Sequence, residues 1–97
     1  MIRHVVVLKW NEGVAAAHIA AAKAALDRLP GLIPQVVSFQ TGSDLGIVPG
    51  NFDFAITAVF SSSEDFLAYR DHPVHQEVMR TYTAPHAQRF AVQFSED

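Results

Sequence analysis

The stretch Ile2-Arg3-His4-Val5-Val6-Val7-Leu8-Lys9-Trp10 decides the fold of this 97-residue chain. It is rich in β-branched residues and is followed by the turn-forming run Asn11-Glu12-Gly13, which predicts a β-strand over Ile2–Trp10. Valine or leucine occupies alternate positions on both of its faces. A strand that is apolar on both faces is covered on both sides. The chain's own helices can cover one side, and a partner can cover the other.

A first helix and three further strands are predicted from composition and stop signals. Val14–Leu29 is rich in alanine and contains no glycine or proline, which predicts a helix that ends at Pro30-Gly31. Alternating or β-branched runs predict strands over Val36–Gly42, Phe52–Phe60 and Gln88–Ser95.

A second helix is predicted after the third strand. Ser61-Ser62-Ser63 is a helix start, because a serine hydroxyl can cap free N–H groups, and this helix runs over about residues 64–70. Pro73 interrupts it and is well placed in the first turn of a new segment over about residues 73–82. Asp71 or His72 is the expected cap of that segment.

The element order is therefore β-α-β-β-α-β within a single domain, residues 1–97. This order predicts an α+β, ferredoxin-like fold, with a four-stranded antiparallel sheet and helices on one face. The other face is bare, with Val5, Val7 and Val59 as candidates for it. An apolar share of 49% is high for so short a chain. We therefore expect a homodimer in which two sheets pack through their open faces.

Charge and composition exclude several classes of function. The net charge is −3 and the seven cations are scattered, so we expect no nucleic-acid partner. Cysteine is absent, which excludes disulfides, thiolate chemistry and cysteine-ligated metals. No run of ~18 apolar residues predicts a membrane span. The opening residues alternate and do not form a signal-peptide block, so the expected location is the cytoplasm.

Few polar residues are candidates for chemistry. His4 lies on a strand face that is otherwise apolar, where it is either a hydrogen-bonded core histidine or part of a pocket. Tyr69, His72 and His75 lie in one short run at the start of a helical segment. A helix N-terminus favours a neutral imidazole, which a general base requires. The same run is equally explained as a capping motif in which His75 only packs.

A metal site is a weaker interpretation of the histidines. His72 and His75, with His4 and Asp71 or Asp53, could in principle surround zinc or iron. The His-x-x-His spacing is too common to indicate a site by itself, and no Glu-x-x-His pattern accompanies it. We therefore expect neither a metal nor a cofactor.

The first strand and the segment Tyr69-Arg70-Asp71-His72-Pro73-Val74-His75 resemble a known family, the stress-responsive dimeric α/β-barrel (Dabb) proteins. The family has a similar opening strand and a Tyr-x-x-His-Pro-x-His segment. Leu29-Pro30-Gly31 and Gly42-x-Asp44 also match in place, so the resemblance covers essentially the whole chain. It implies a ferredoxin-like fold that dimerises into an α+β barrel.

The resemblance also implies a function. A plant branch of the family contains a polyketide cyclase that performs an intramolecular aldol condensation. By position, His4, Tyr69 and His75 correspond to residues that line its site, with His75 as the general base. The remaining residues expected to contact a substrate are His72, Phe54, Leu8 and Trp10. The cyclase has a histidine where this chain has Phe54 and a bulkier first helix, so pocket size and substrate differ.

Three functions therefore stay open at this point. The first is a cofactor-free, cyclase-like enzyme acting on a carbonyl-rich molecule such as a polyketide. The second is a non-enzymatic stress-responsive dimer that binds a small apolar ligand. The third, which rests on fold analogy, is a cofactor-free monooxygenase on the same barrel.

Overall fold

The computed structural model describes residues 1–97 and contains one four-stranded antiparallel sheet. The strands are β1 (Ile2–Trp10), β2 (Val36–Ser43), β3 (Phe54–Phe60) and β4 (Ala87–Ser95). Their spatial order is β2-β3-β1-β4, which places β1 and β3 in the centre. The predicted antiparallel sheet and ferredoxin-like element order are confirmed.

Four helices and a π-helical turn accompany the sheet. They are α1 (Ala16–Asp27), α2 (Leu29–Leu32), α3 (Ser63–Asp71) and α4 (Pro73–Val78), and the π-helical turn covers Met79–Thr83. Ser62 caps α3 as expected, because its hydroxyl accepts the Asp65 backbone N–H at 3.1 Å. His72, one of the two expected caps, precedes α4.

The helix boundaries differ from the sequence expectation in three places. The first helix begins at Ala16, since Ala15 is extended and offers no side-chain cap. Pro30-Gly31 does not end helical structure, because Pro30 sits in the first turn of the short helix α2, where its missing N–H costs nothing. The segment that begins at Pro73 changes from α- to π-helical geometry at Met79.

The core lies between the helices and one face of the sheet. The side chains of Val6 and Leu8 from β1 pack there against the helices and β3, together with Leu26, Leu29 and Phe60. Lys23 of α1 donates to the Thr41 hydroxyl of β2 at 2.9 Å, which ties this helix to the edge of the sheet. None of the helices combines the length and apolar character that a membrane-spanning segment requires.

The opposite face of the sheet is open, and its exposed apolar residues come mainly from β4. Phe90, Val92 and Phe94 are 51%, 54% and 48% exposed. Val59 lies on this face as expected, because its register with Arg3 places it on the same side of the sheet as Val5 and Val7. It is nevertheless only 6% exposed, so it adds little to the bare surface. It lies on a central strand, flanked in register by Arg3 and Ser38 on either side.

Candidate functional site

The break between α3 and α4 fixes the orientation of one histidine. In an uninterrupted helix the Val74 N–H would donate to the Arg70 carbonyl. Here the Val74 N–H donates instead to Nδ1 of His72, at 3.1 Å. The Arg70 carbonyl is thereby free to accept a hydrogen bond from Nδ1 of His75, at 2.9 Å. The His-Pro sequence thus leaves a backbone carbonyl available as a hydrogen-bond acceptor for Nδ1 of His75.

This contact defines the protonation pattern of His75. A carbonyl only accepts, so Nδ1 carries the proton, and Nε2 of the neutral ring carries the lone pair. His75 is 7% exposed and its ring lies against that of Tyr69, with the ring centroids 4.3 Å apart. The ring is therefore held as a base whose free nitrogen is Nε2.

His4 has the opposite protonation pattern, with the proton on Nε2. It lies on β1, on the face under the helices, and is 2% exposed. Its Nδ1 lies 2.8 Å from the side-chain amide nitrogen of Gln93, which faces it in the β1–β4 register. An amide nitrogen only donates, so His4 Nδ1 accepts and Nε2 of the neutral ring carries the proton. His4 thus offers a hydrogen-bond donor, whereas His75 offers an acceptor.

Tyr69 lies near both histidines. Its ring centroid is 4.3 Å from that of His75 and 6.3 Å from that of His4, and the residue is 1% exposed. Trp10 Nε1 is the only fully buried side-chain nitrogen or oxygen atom that makes no hydrogen bond. The Tyr69 hydroxyl and His4 Nε2 make no hydrogen bond within the chain and are not among the fully buried unpaired atoms, so each keeps a small accessible surface. The structure therefore brings the three residues expected to be catalytic into one cluster.

Burial keeps this cluster uncharged near neutral pH. Desolvation is the main cause that lowers the pKa of His4, to about 4, and the positive charge of Arg89 adds to it. Desolvation also lowers the pKa of His75, against the opposing effect of its bond to the Arg70 carbonyl. The pKa of the Tyr69 hydroxyl is raised by burial. The two imidazoles are thus neutral, and the phenol keeps its proton.

A groove lies beside the cluster at the edge of the sheet. It has a volume of ≈ 270 Å³ and lies between the start of α3 and the end of β4. Phe66 and Gln93 line it, and both also contact His4: the Phe66 ring centroid lies 4.9 Å from that of His4. The groove is thus adjacent to the cluster, but His4, Tyr69 and His75 are not part of its lining.

Two residues of β4 at this site were not identified from the sequence. Gln93 faces His4 and Arg89 faces Leu8 in the β1–β4 register, so both side chains lie on the helix side of the sheet. Alternation along β4 separates Arg89, Ala91 and Gln93 from the aromatic positions. It does not tell which of these residues pairs with His4, because the register arises from long-range pairing.

The other residues expected to contact a substrate lie outside this cluster. Leu8 and Phe54 are buried in the core, and the Trp10 ring packs against Phe54 with centroids 5.8 Å apart. The short Leu8 side chain is enclosed between the helices and the sheet, where it is 1% exposed. His72 lies next to the cluster, where its ring caps α4. The structure does not bring Phe54, Leu8 and Trp10 to the cluster.

A second group of rings lies near Trp10. The His18 ring lies 4.0 Å from that of His86, and His18 Nε2 donates to the Tyr82 carbonyl at 2.9 Å. No three His, Asp or Glu side chains of the chain lie close enough together to hold a metal ion. The histidines thus form two separate groups, and neither supplies a complete set of ligands.

The sequence and the fold both match known proteins. A family model for the stress responsive A/B barrel domain (Dabb) matches residues 2–96. An uncharacterised protein of Streptomyces coelicolor is 31% identical over 78 residues, which are 78% of this chain and 80% of that protein.

Two solved structures illustrate the range of the matches. A dimeric ferredoxin-like protein of unknown function from Thermobifida fusca has a TM-score of 0.91 and 38% identity, covering 98% of this chain and 90% of that one. A hydroxynitrile lyase from Passiflora edulis has a TM-score of 0.86 and 20% identity, covering 99% of this chain and 93% of that one. The second match concerns the fold alone.

Proposed function

The chain belongs to the stress responsive A/B barrel domain family, and we propose that it is an enzyme of carbonyl chemistry whose side chains act without a cofactor. The observation that carries this proposal is the pair of opposite tautomers. His75 presents a free lone pair at Nε2, and His4 presents a proton at Nε2; both rings lie near that of Tyr69. Removing a proton next to a carbonyl group requires one acceptor and at least one donor.

The proposed reaction is an intramolecular aldol condensation of a compound with two carbonyl groups, as in a polyketide. His75 Nε2 takes a proton from the carbon next to one carbonyl, and the C–H electron pair moves through the new C=C bond onto the carbonyl oxygen. His4 Nε2–H and the Tyr69 hydroxyl donate to this enolate oxygen. The enolate carbon then attacks the second carbonyl carbon, and the alkoxide formed takes the proton back from His75. His75 Nε2 next removes a second proton from the same α-carbon, and the hydroxyl leaves with that proton as water, which forms the C=C bond of the enone.

The low polarity of the site supports these roles. A base acts at pH 7 only if its neutral form predominates, and the lowered pKa of His75 ensures this. The raised pKa of Tyr69 keeps its hydroxyl protonated as a donor. Hydrogen bonds to a developing negative charge are stronger where water is excluded.

We also propose that the chain works as a homodimer through the open face of the sheet. Phe90, Val92 and Phe94 expose apolar surface there, which a second copy would remove from water. The Thermobifida fusca protein is dimeric, which supports dimer formation.

The proposal is tested with 2,6-heptanedione, which closes to a cyclic enone by an aldol condensation and loss of water. Enone formation is followed by ultraviolet absorption with the wild type and with His75→Gln. We expect the variant to lose about 100-fold or more of the rate. His86→Gln is the matched control, because it removes an imidazole from the other histidine group. A His75→Gln rate equal to the wild-type rate would contradict the role of His75. Binding of the diketone without turnover would favour a non-enzymatic ligand-binding protein.

A further inference from the structure

Arg89 is the charged residue at the open edge of the site. It lies on β4, and its register with Leu8 places its side chain on the helix side of the sheet, the same side as Gln93 and His4. The helices leave β4 uncovered, and Arg89 is exposed. Its guanidinium is thus available to a molecule that enters the site from this edge.

No carboxylate of the chain neutralises Arg89. Five of the seven Lys and Arg residues form ion pairs, and only Arg28 and Arg89 do not. The positive charge of Arg89 adds to the effect of burial in lowering the pKa of His4 and His75, and it opposes the larger rise that burial causes in the pKa of Tyr69. Asp71 acts on His75 in the opposite direction but is paired with Arg70. An uncharged, apolar site therefore has one unneutralised cation at its edge.

We propose that Arg89 binds a carboxylate of the substrate, so that the site takes a dioxo acid, a compound with two ketones and a carboxylate, for which an oxo acid with one ketone serves as a binding probe. This proposal rests on the proposed carbonyl chemistry and specifies its substrate class. A guanidinium binds a carboxylate through two parallel hydrogen bonds, which also orients the molecule. The carboxylate at the edge would leave the ketones to enter the apolar part, beside His4, Tyr69 and His75.

The test compares levulinate and 5-oxohexanoate with their methyl esters. Each ester keeps the ketone and lacks the negative charge, and the two acids differ in the distance between their groups. Binding is measured from the NMR signals of the His4 and His75 rings during titration. We expect at least one acid to bind about tenfold more tightly than its ester, and added salt to weaken the acid only.

Variants assign this preference to Arg89. Arg89→Gln should abolish the preference for the acid, and Arg89→Lys should retain part of it. Arg28→Gln is the matched control, since it removes the other unpaired guanidinium and changes the net charge equally. Equal affinity for acid and ester, no binding of either acid, or an equal loss of preference in Arg28→Gln and Arg89→Gln would each overturn the proposal.

A second readout separates this proposal from the proposed function. Exchange of the protons next to the ketone with D2O is followed by NMR for levulinate and its ester. If exchange depends on His75 but is equal for acid and ester, the role of Arg89 is wrong and the role of His75 stands. If the acid binds through Arg89 but His75→Gln exchanges as fast as the wild type, anion binding stands and the proposed base does not.

Discussion

The side-chain amide of Gln93 donates to Nδ1 of His4 across the β1–β4 ladder, at 2.8 Å. This contact leaves the proton of the His4 ring on Nε2 and holds the ring plane in place. An exposed residue of the outermost strand thus determines which nitrogen of a buried histidine is a donor.

Replacing Gln93 should remove the hydrogen bond that selects this tautomer of His4. In Gln93→Leu the donor to Nδ1 is lost, so the neutral ring of His4 can also place its proton on Nδ1. We expect the 15N NMR shifts of His4 to move toward a tautomer mixture, and the rate of diketone closure to fall about tenfold. Stability should change by only about 1 kcal/mol, the usual net contribution of one hydrogen bond. Gln88→Leu, on the other face of β4, is the control. An unaltered His4 spectrum in Gln93→Leu would show that Gln93 does not select the tautomer.

Acidification should destabilise the fold through His4. Its pKa is 6.5 in the unfolded chain and about 4 in the folded one, so the unfolded state takes up the proton first. The contribution of His4 to the free energy of unfolding is complete above pH 6.5 and is lost as the pH falls toward 4. The lowered pKa of His75 acts in the same direction. Urea unfolding at pH 7, 5.5 and 4.5 measures this trend. His4→Gln should flatten it; an equally steep trend in that variant would place its origin elsewhere.

Pro73 should be required for the orientation of His75. Pro73→Ala restores a backbone N–H and favours a continuous helix, in which the Val74 N–H returns to the Arg70 carbonyl. The Nδ1 proton of His75 then loses its acceptor. We expect the rate to fall by about tenfold, while the free energy of unfolding changes by only about 1 kcal/mol. The 15N shifts of His75 report the tautomer directly. A Pro73→Ala variant with the wild-type tautomer and rate would show that the break is not needed.

A charge on the open sheet face should prevent dimer formation. Val92→Asp places a carboxylate among Phe90, Phe94 and the β1 valines, where it would lose its hydration in a dimer. Sedimentation velocity should show the wild type as a dimer at micromolar concentration and the variant as a monomer. Leu32→Asp, at a similarly exposed position in α2, is the control and should remain dimeric. A monomeric wild type would contradict the proposed interface.

Removing Arg89 should raise the pKa of both histidines in the cluster. The guanidinium disfavours a second positive charge nearby and therefore lowers the pKa of His4 and His75. In Arg89→Gln both NMR titration curves should move to higher pH. The acid limb of the pH–rate profile should follow His75. Unshifted curves would mean that the charge of Arg89 does not reach the cluster.

Much of the fold follows from local sequence. Valine-rich alternation predicts β1, and the serine run before α3 supplies the observed cap. The short helix α2 was missed because proline and glycine end helices in most contexts, whereas Pro30 here occupies a first turn. The third strand was predicted to begin at Phe52 and begins at Phe54. Phe52 is instead an exposed residue whose ring packs against Phe90, with centroids 5.3 Å apart.

The candidate site was only partly predictable. Tyr69 and His75 lie close in sequence, and the helix break between them is visible as a proline. Their approach to His4 depends on how α3 and α4 pack on β1, which local patterns do not specify. Gln93 and Arg89 depend further on the register of β4 against β1, which is set by pairing between the two ends of the chain.

Because side chains alternate between the two faces along β4, this strand cannot tolerate a one-residue shift of its register. The even-numbered residues Phe90, Val92 and Phe94 face the open side of the sheet. The odd-numbered residues Arg89 and Gln93 face the helices. Inserting or deleting one residue between Ala87 and Arg89 would exchange the two sets. Aromatic rings would then occupy the edge of the site, and a guanidinium would lie in the middle of the apolar surface. Substitutions in this strand can be tolerated one at a time, but a single-residue shift would remove both the proposed site and the proposed dimer together.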